Sequence, residues 1–139
     1  MKAPEAPARR VAVVTGGSRG IGRAVCIRLA KAGYDIALNY AGNAAAAEET
    51  AGVCREAGAA VLTVQADVSD PAGCDALIDA VKAQFGRVDV LVNNAGVTRD
   101  CLLMRLTEED YDKVLDTNLK GAVFCCKAVS RLMMKQRYG

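Results

Sequence analysis

Histidine and tryptophan are both absent from the 139 residues. Their absence removes an imidazole general base, a His-ligated zinc site and any Ser-His-Asp triad. Net charge is nearly absent too. Eighteen Lys plus Arg stand against sixteen Asp plus Glu, a balance of +2, which is too small to draw nucleic acid or an anionic membrane. The longest apolar runs, such as Val11–Val14 and Val88–Val92, fall far short of the roughly 18–20 residues of a spanning helix. The opening MKAPEAPARR lacks the apolar core of a secretory signal, so a cytoplasmic location is expected. Six cysteines are present without any C-x-x-C pair. Most lie in apolar periodic segments, which reads as buried free thiols in a reducing compartment and not as a disulfide or metal framework. No metal site is expected.

What is there is a globular composition, 52% hydrophobic and 24% charged, with room for one domain and a real core. Residues 1–9 read as a flexible tail and 10–139 as a single domain. Short β-branched runs alternate with longer helical patterns. Strands are expected at Arg10–Thr15, Asp35–Tyr40, Ala60–Gln65 and Val88–Val92, each a nearly continuous apolar run of the kind buried on both faces. Helices are expected over Ile21–Ala32, from an Asn43 cap to about Ala57, from Asp70-Pro71 to Gly86, and from Thr107 almost to Tyr138. The order β-α-β-α-β-α-β-α implies an α/β fold with a parallel sheet and helices on both faces. The last helix carries an apolar stripe at Leu115, Leu119, Ala122, Cys126, Val129 and Met133. A second runs through Val114, Gly121, Cys125, Ala128 and Leu132. Together they are too wide for one sheet to cover, so a further partner is expected there.

The first strand runs into TGGSRGIG, Thr15–Gly22, and directly into a helix. Glycines at that junction let the backbone turn tightly and let a phosphate approach the free N–H groups of the helix. An acid to hold a ribose hydroxyl is expected at the end of the second strand, but Asn39, Tyr40 and Ala41 stand there and Asp35 lies at the strand's start. Arg19 sits in the glycine loop instead, which favours a 2′-phosphate, hence NADP over NAD; Arg19 as a solvated loop cation is the plain alternative. After the third strand, Asp67 either accepts from an adenine amino group or caps a turn. After the fourth, Asn93 and Asn94 either line a nucleotide cleft or tie strand ends together through their amides.

Taken together, TGGSRGIG, Asp67-Val68, NNAG at Asn93–Gly96 and Asn118 in TNLKG resemble the short-chain dehydrogenase/reductase family. Thr98–Leu106, TRDCLLMRL, is similar to its 3-oxoacyl-carrier-protein reductases. The resemblance runs from about Arg10 to the last residue. It implies a Rossmann-type sheet in the order 3-2-1-4, ending before the family's fifth strand. It implies that Thr15, Gly16, Ser18, Arg19, Gly20, Ile21 and Gly22 hold the phosphates of NADP(H). Asp67 and Val68 would flank the adenine, and Asn93, Ala95 and Gly96 would line the cofactor channel. Asn118 matches the family's active-site Asn, which holds a water in a proton relay; read from the residues alone it is equally a satisfied buried amide. Lys135 and Arg137 would face an acidic carrier protein, or simply suit a helix C-terminus.

The family's reductases use a Tyr as proton donor with a Lys four residues on, and a Ser that orients the carbonyl. None of Tyr34, Tyr40, Tyr111 and Tyr138 is followed by such a Lys, and no Ser stands in the matching place. The expectation is therefore the NADP(H)-binding part of a reductase of 3-oxoacyl thioesters, inactive as this chain. A non-catalytic nucleotide-binding or assembly module is the alternative. An open fourth strand and a wide apolar helix lead to the further expectation of a homo-oligomer.

Overall fold

The computed structural model describes residues 8–139. Four parallel strands, β1 (Val11–Val14), β2 (Asp35–Tyr40), β3 (Val61–Gln65) and β4 (Val90–Val92), form one sheet in the order β3-β2-β1-β4. That is the expected topology, with strand ends shifted by a residue or two. Five α-helices accompany them: α1 (Gly20–Lys31), α2 (Ala44–Glu56), α3 (Pro71–Phe85), α4 (Glu108–Leu115) and α5 (Gly121–Gln136). The expected tail falls mostly outside the described residues. Its last residue, Arg9, donates from Nε to Asp35 Oδ1 at 2.9 Å and so ties the chain to the start of β2.

Alternation along the central strands builds two cores. Val11 and Val13 of β1 pack with Leu77, Val81, Cys125 and Val129 of α3 and α5 on one face. Ala12 and Val14 pack with Cys26, Ala30 and Cys54 of α1 and α2 on the other. A strand with both faces covered has no solvent side, which is why all four residues of β1 are apolar and buried. Helix starts follow local chemistry. Asn43, Asp70 and Thr107 each accept a hydrogen bond from a first-turn backbone N–H, at 3.0, 3.0 and 3.1 Å. Gly86 closes α3 at φ +73°.

The last helix departs from the sequence reading. It is not continuous from Thr107: a π-turn over Asp116–Lys120 separates α4 from α5. Such a turn bonds i to i+5 and winds in extra chain, so a stripe drawn straight through it loses phase. Leu115 and Leu119 consequently face outward, at 37% and 60% exposed, whereas Val129 of the same drawn stripe is buried. The chain then leaves α5 at Arg137, whose φ is +56°.

Two amide side chains clamp this segment to the chain on either side of the edge strand. Asn118 Oδ1 accepts from Val97 N–H at 2.7 Å and its Nδ2 donates to Val97 O at 3.0 Å. Gln136 does the same to Val88, accepting at 3.0 Å and donating at 2.7 Å. Each amide imitates a strand partner, so the backbone of Val88 before β4 and of Val97 in the loop after it is bonded without a neighbouring strand.

All six cysteines are free thiols. Cys26, Cys54, Cys74 and Cys125 are buried, as expected, and Cys101 and Cys126 are exposed. Burial pushes the Cys26 and Cys125 thiols up to about 12, which makes them inert packing groups. Among the described residues no helix is long and apolar enough to cross a membrane, and no cluster of His, Cys, Asp or Glu could hold a metal ion.

Candidate functional site

The carboxyl ends of all four strands open onto one side of the sheet, where loops converge on the start of α1. The glycine loop is fixed there by side chains from three strands. Thr15 Oγ1 accepts from the N–H groups of Asn94 and Ala95 at 3.0 and 2.9 Å. Asn94 Nδ2 donates back to the carbonyls of Thr15 and Gly16 at 3.1 and 3.0 Å. On the other flank Asn39 Oδ1 accepts from Gly16 N–H at 3.3 Å, while its Nδ2 donates to Val64 O and Ala66 O at 3.3 and 3.0 Å. Two asparagines thus sew the ends of β1, β2, β3 and β4 together. Thr50 adds a hydroxyl bond of 3.1 Å to Ser18 O from α2.

Helix α1 crosses the loop at very short range. A Cβ on Gly22 would stand 2.1 Å from Gly16 O and 2.4 Å from Asn94 Nδ2, so only glycine fits. A Cβ on Gly20 would meet nothing within 4 Å, and that open space belongs to a cleft of about 690 Å³. The cleft is lined by Gly16 and Ser18–Ile21 of the glycine loop, the β2 end from Asn39 to Asn43, Ala66–Val68 after β3, Asn94–Val97 after β4, and Lys113 and Thr117.

Its electrostatics favour an anion. Unlike α2, α3 and α4, helix α1 has no side-chain cap, and no acid stands in its first turn. Its free N–H groups and positive dipole end face the cleft. Arg19, the N-cap residue, has no acidic partner among the described residues. No carboxylate lines the β2 end of the cleft, and Asp35 lies at the far end of that strand, bonded to Arg9 and Ala60 N–H.

Of the residues singled out in the sequence, the structure brings Gly16, Ser18, Arg19, Gly20, Ile21, Asp67, Val68, Ala95 and Gly96 onto the cleft wall. Thr15 and Gly22 lie just behind it, one as a hydrogen-bond hub and the other as the close crossing. Asn93 points elsewhere: its Nδ2 donates to Cys126 Sγ at 3.4 Å, and Asn94 takes the tying role. Asp67 caps its own turn, with Oδ1 accepting from Ser69 Oγ at 2.6 Å and Ser69 N–H at 2.9 Å. Those two bonds, aided by the charge of Lys113 and opposed by partial burial, hold its carboxyl below the usual range. Its Oδ2 has no hydrogen-bond partner among the described residues and remains an acceptor for a ligand. Asn118 does not line the cleft; its amide serves Val97. Lys135 and Arg137 are exposed at the far end of α5.

Sequence reasoning missed Lys113, Thr117 and Asn39 as residues of the cleft wall. Nothing in a helical pattern marks Lys113 and Thr117, since polar residues on α4 and the π-turn read as solvated. Asn39 carried a signal, a polar side chain in an otherwise apolar strand.

A family model for short chain dehydrogenase matches residues 10–139. The chain is similar to the 3-oxoacyl-[acyl-carrier-protein] reductase FabG of Staphylococcus aureus, 48% identical over 128 residues, or 92% of this chain and 52% of that protein. It is 46% identical to the 3-oxoacyl-[acyl-carrier-protein] reductase of Synechocystis over 130 residues, 94% of this chain and 53% of the other. A solved variant of a Serratia marcescens short-chain dehydrogenase/reductase superposes with TM-score 0.86 at 37% identity, covering 91% of this chain and 52% of that one. The chain therefore spans about half the length of the relatives it matches. With a sheet order, a glycine crossing and a run of strand ends that all fall within the matched residues, the chain belongs to the short-chain dehydrogenase family.

Proposed function

We propose that this chain is the NADP(H)-binding portion of a short-chain reductase that converts 3-oxoacyl thioesters to 3-hydroxyacyl thioesters. One observation carries the cofactor reading. The uncapped start of α1 and the unpaired Arg19 face a cleft whose β2 end bears no carboxylate. The N–H groups of the glycine loop and of α1 suit a pyrophosphate, and Arg19 beside Tyr40–Asn43 suits a 2′-phosphate. The free Oδ2 of Asp67 suits the adenine amino group, with Val68 against the ring and Ala95 and Gly96 along the channel. NADPH, when bound, supplies a hydride. The chain's own groups bind and orient it. Asn118, with its amide fixed to Val97, acts as a positioning residue that locks the π-turn against the loop after β4. The thioester substrate and its carrier rest on the similarity to the two reductases above, and Lys135 and Arg137 are the cations proposed to meet an acidic carrier.

The test is a fluorescence titration with NADPH and NADH. Arg19→Ala is expected to weaken NADPH about tenfold, the worth of a charge-assisted contact, and NADH less than about twofold. Equal loss for both cofactors would count against a 2′-phosphate contact. With a short β-ketoacyl thioester, NADPH oxidation by the 139-residue chain is expected to be negligible, because no Tyr-x-x-x-Lys is present to donate a proton. Turnover above about 1% of that of a full-length reductase would overturn this, since the donor's contribution is of order 10²–10⁴.

The chain is also proposed to self-associate. Leu102, Leu103 and Met104 are 61%, 84% and 88% exposed, and Leu119, Val123 and Met134 are exposed on the last helices. Light scattering that returns a monodisperse monomer at micromolar concentration would remove this proposal.

A further inference from the structure

A side chain outside the cleft fixes the direction in which Arg19 leaves the glycine loop. Gly17 N–H donates to Asn39 O at 2.9 Å. A Cβ on Gly17 would stand 2.9 Å from both Cys26 Sγ and Leu38 Cγ, so up to that residue the loop rests on α1 and β2. The bonding of α1 itself begins where Arg23 N–H donates to Arg19 O at 3.1 Å. Between those two bonds, one group alone holds the backbone among the described residues. It is Thr50 Oγ1 of α2, which donates to Ser18 O at 3.1 Å. Thr50 is fully buried and does not line the cleft. A carbonyl only accepts, so the hydroxyl proton is committed to Ser18. The same oxygen accepts from Arg23 Nη1 at 3.4 Å, and that nitrogen also pairs with Glu49 Oε1 at 3.4 Å.

The place of the Thr50 bond gives it a role beyond packing. Peptide units are rigid planes, so the two planes that flank a residue set the direction of its Cα–Cβ bond. For Arg19 the plane before it is pinned through Ser18 O, and the plane after it through its own carbonyl. Arg23 contributes to both, by its guanidinium to Thr50 and by its backbone N–H to Arg19. A long side chain whose base is already aimed loses less freedom when its charged end meets a ligand. We propose that Thr50 is a positioning residue for cofactor selectivity, holding the Ser18–Arg19 peptide so that Arg19 is aimed at the 2′-phosphate of NADP(H). This rests on the cofactor reading above and adds to it a residue that touches no ligand. The first-turn N–H groups of α1 follow the pinned peptide and belong to the helix. The pyrophosphate part of the site therefore keeps its shape without Thr50.

The experiment titrates the 139-residue protein and its Thr50→Val, Thr50→Ser and Arg19→Ala variants, with the Thr50→Val/Arg19→Ala double variant, against NADPH and NADH. Thermal unfolding confirms that each variant is folded. Thr50→Val keeps the side-chain volume and removes the donor. It is expected to weaken NADPH about fivefold and NADH less than about twofold. Thr50→Ser keeps the hydroxyl and should retain the wild-type ratio of the two affinities. In the Arg19→Ala background, Thr50→Val should change NADPH affinity less than about twofold, because a residue that acts through Arg19 then has nothing to position. Thr50→Ala, which places no methyl against the Ser18 carbonyl, gives the same readings should Thr50→Val not fold. Wild-type affinities in Thr50→Val, or equal losses for the two cofactors, would overturn the inference and leave Thr50 a packing residue of α2. So would full additivity in the double variant, or a Thr50→Ser variant that behaves like Thr50→Val. A wild-type protein that binds neither cofactor would sink the cofactor reading itself, and the inference with it.

Discussion

Gly22→Ala is expected to weaken NADPH binding by at least about tenfold and to lower stability, although it adds a single methyl group. The new Cβ would stand 2.1 Å from Gly16 O. That carbonyl cannot retreat, because Asn94 Nδ2 holds it at 3.0 Å and is itself only 2.4 Å from the Cβ position. Helix α1 must therefore lift from the loop, which moves its free N–H groups away from the place where phosphates would sit. Overpacking of this kind costs ~1–3 kcal/mol of stability, and the displaced loop is expected to weaken NADPH by at least about tenfold. Gly52→Ala supplies the control. That residue lies inside α2, and a Cβ there meets nothing within 4 Å. The same chemical change should then stabilise by ~0.5–1 kcal/mol through helix propensity and leave NADPH binding alone. Thermal unfolding and a fluorescence titration of the two variants check both signs. Wild-type binding by Gly22→Ala would show that the crossing is not rigid.

Asp89→Ala is expected to cause the largest loss of stability of any single charge removal. Asp89 sits at the entrance to β4 with a fully buried side chain. It accepts from Arg87 Nη2 at 2.7 Å, Arg87 Nε at 2.8 Å and Val11 N–H at 2.8 Å. Truncation leaves the Val11 N–H without an acceptor at the centre of the sheet and leaves a guanidinium unpaired. Breaking a buried pair costs ~3–5 kcal/mol, but Arg87 is one-third exposed and can rehydrate, so ~2–4 kcal/mol is expected. That corresponds to a drop of roughly 6–16 °C in Tm for a chain of this size. Burial is the largest single influence on the Asp89 carboxyl and pushes its pKa up. The bonds from Arg87 and Val11 and the charges of Arg87 and Arg10 outweigh it and hold the group below the usual range.

A carboxyl with a lowered folded pKa stabilises the fold above its unfolded pKa of about 3.9, and that stabilisation is lost as pH falls through the folded value. Asp89 and Asp67 both shift in this direction. Acid unfolding should therefore steepen below about pH 4, and Asp89→Asn should flatten it. An unchanged pH profile in Asp89→Asn would assign the acid limb to other groups.

How much of this was legible beforehand divides along a physical line. Strand and helix identity follow from local pattern: β1 is apolar throughout because both its faces are covered, and Asn43, Asp70 and Thr107 cap helices through bonds that reach only three residues. The glycine loop was legible for the same reason, since its turn and the following helix are contiguous in sequence. Other features depend on residues far apart. Asn39, Asn94, Asn118 and Gln136 read alike as polar residues near strand or helix ends, yet each bonds to backbone 21–79 positions away. Asn93 and Asn94 are adjacent and identical, and only packing turns one toward the glycine loop and the other toward Cys126.

By itself, then, the sequence determined the α/β order, the helix caps and the glycine turn before α1, because short-range hydrogen bonding and apolar periodicity are local properties of the chain. The tertiary structure alone decided where the π-turn breaks the last helix and which amides secure the edge strand. It also decided that Lys113 and Thr117 face the cleft. Those outcomes depend on backbone groups and side chains brought together by the sheet crossovers, and no local pattern encodes such meetings.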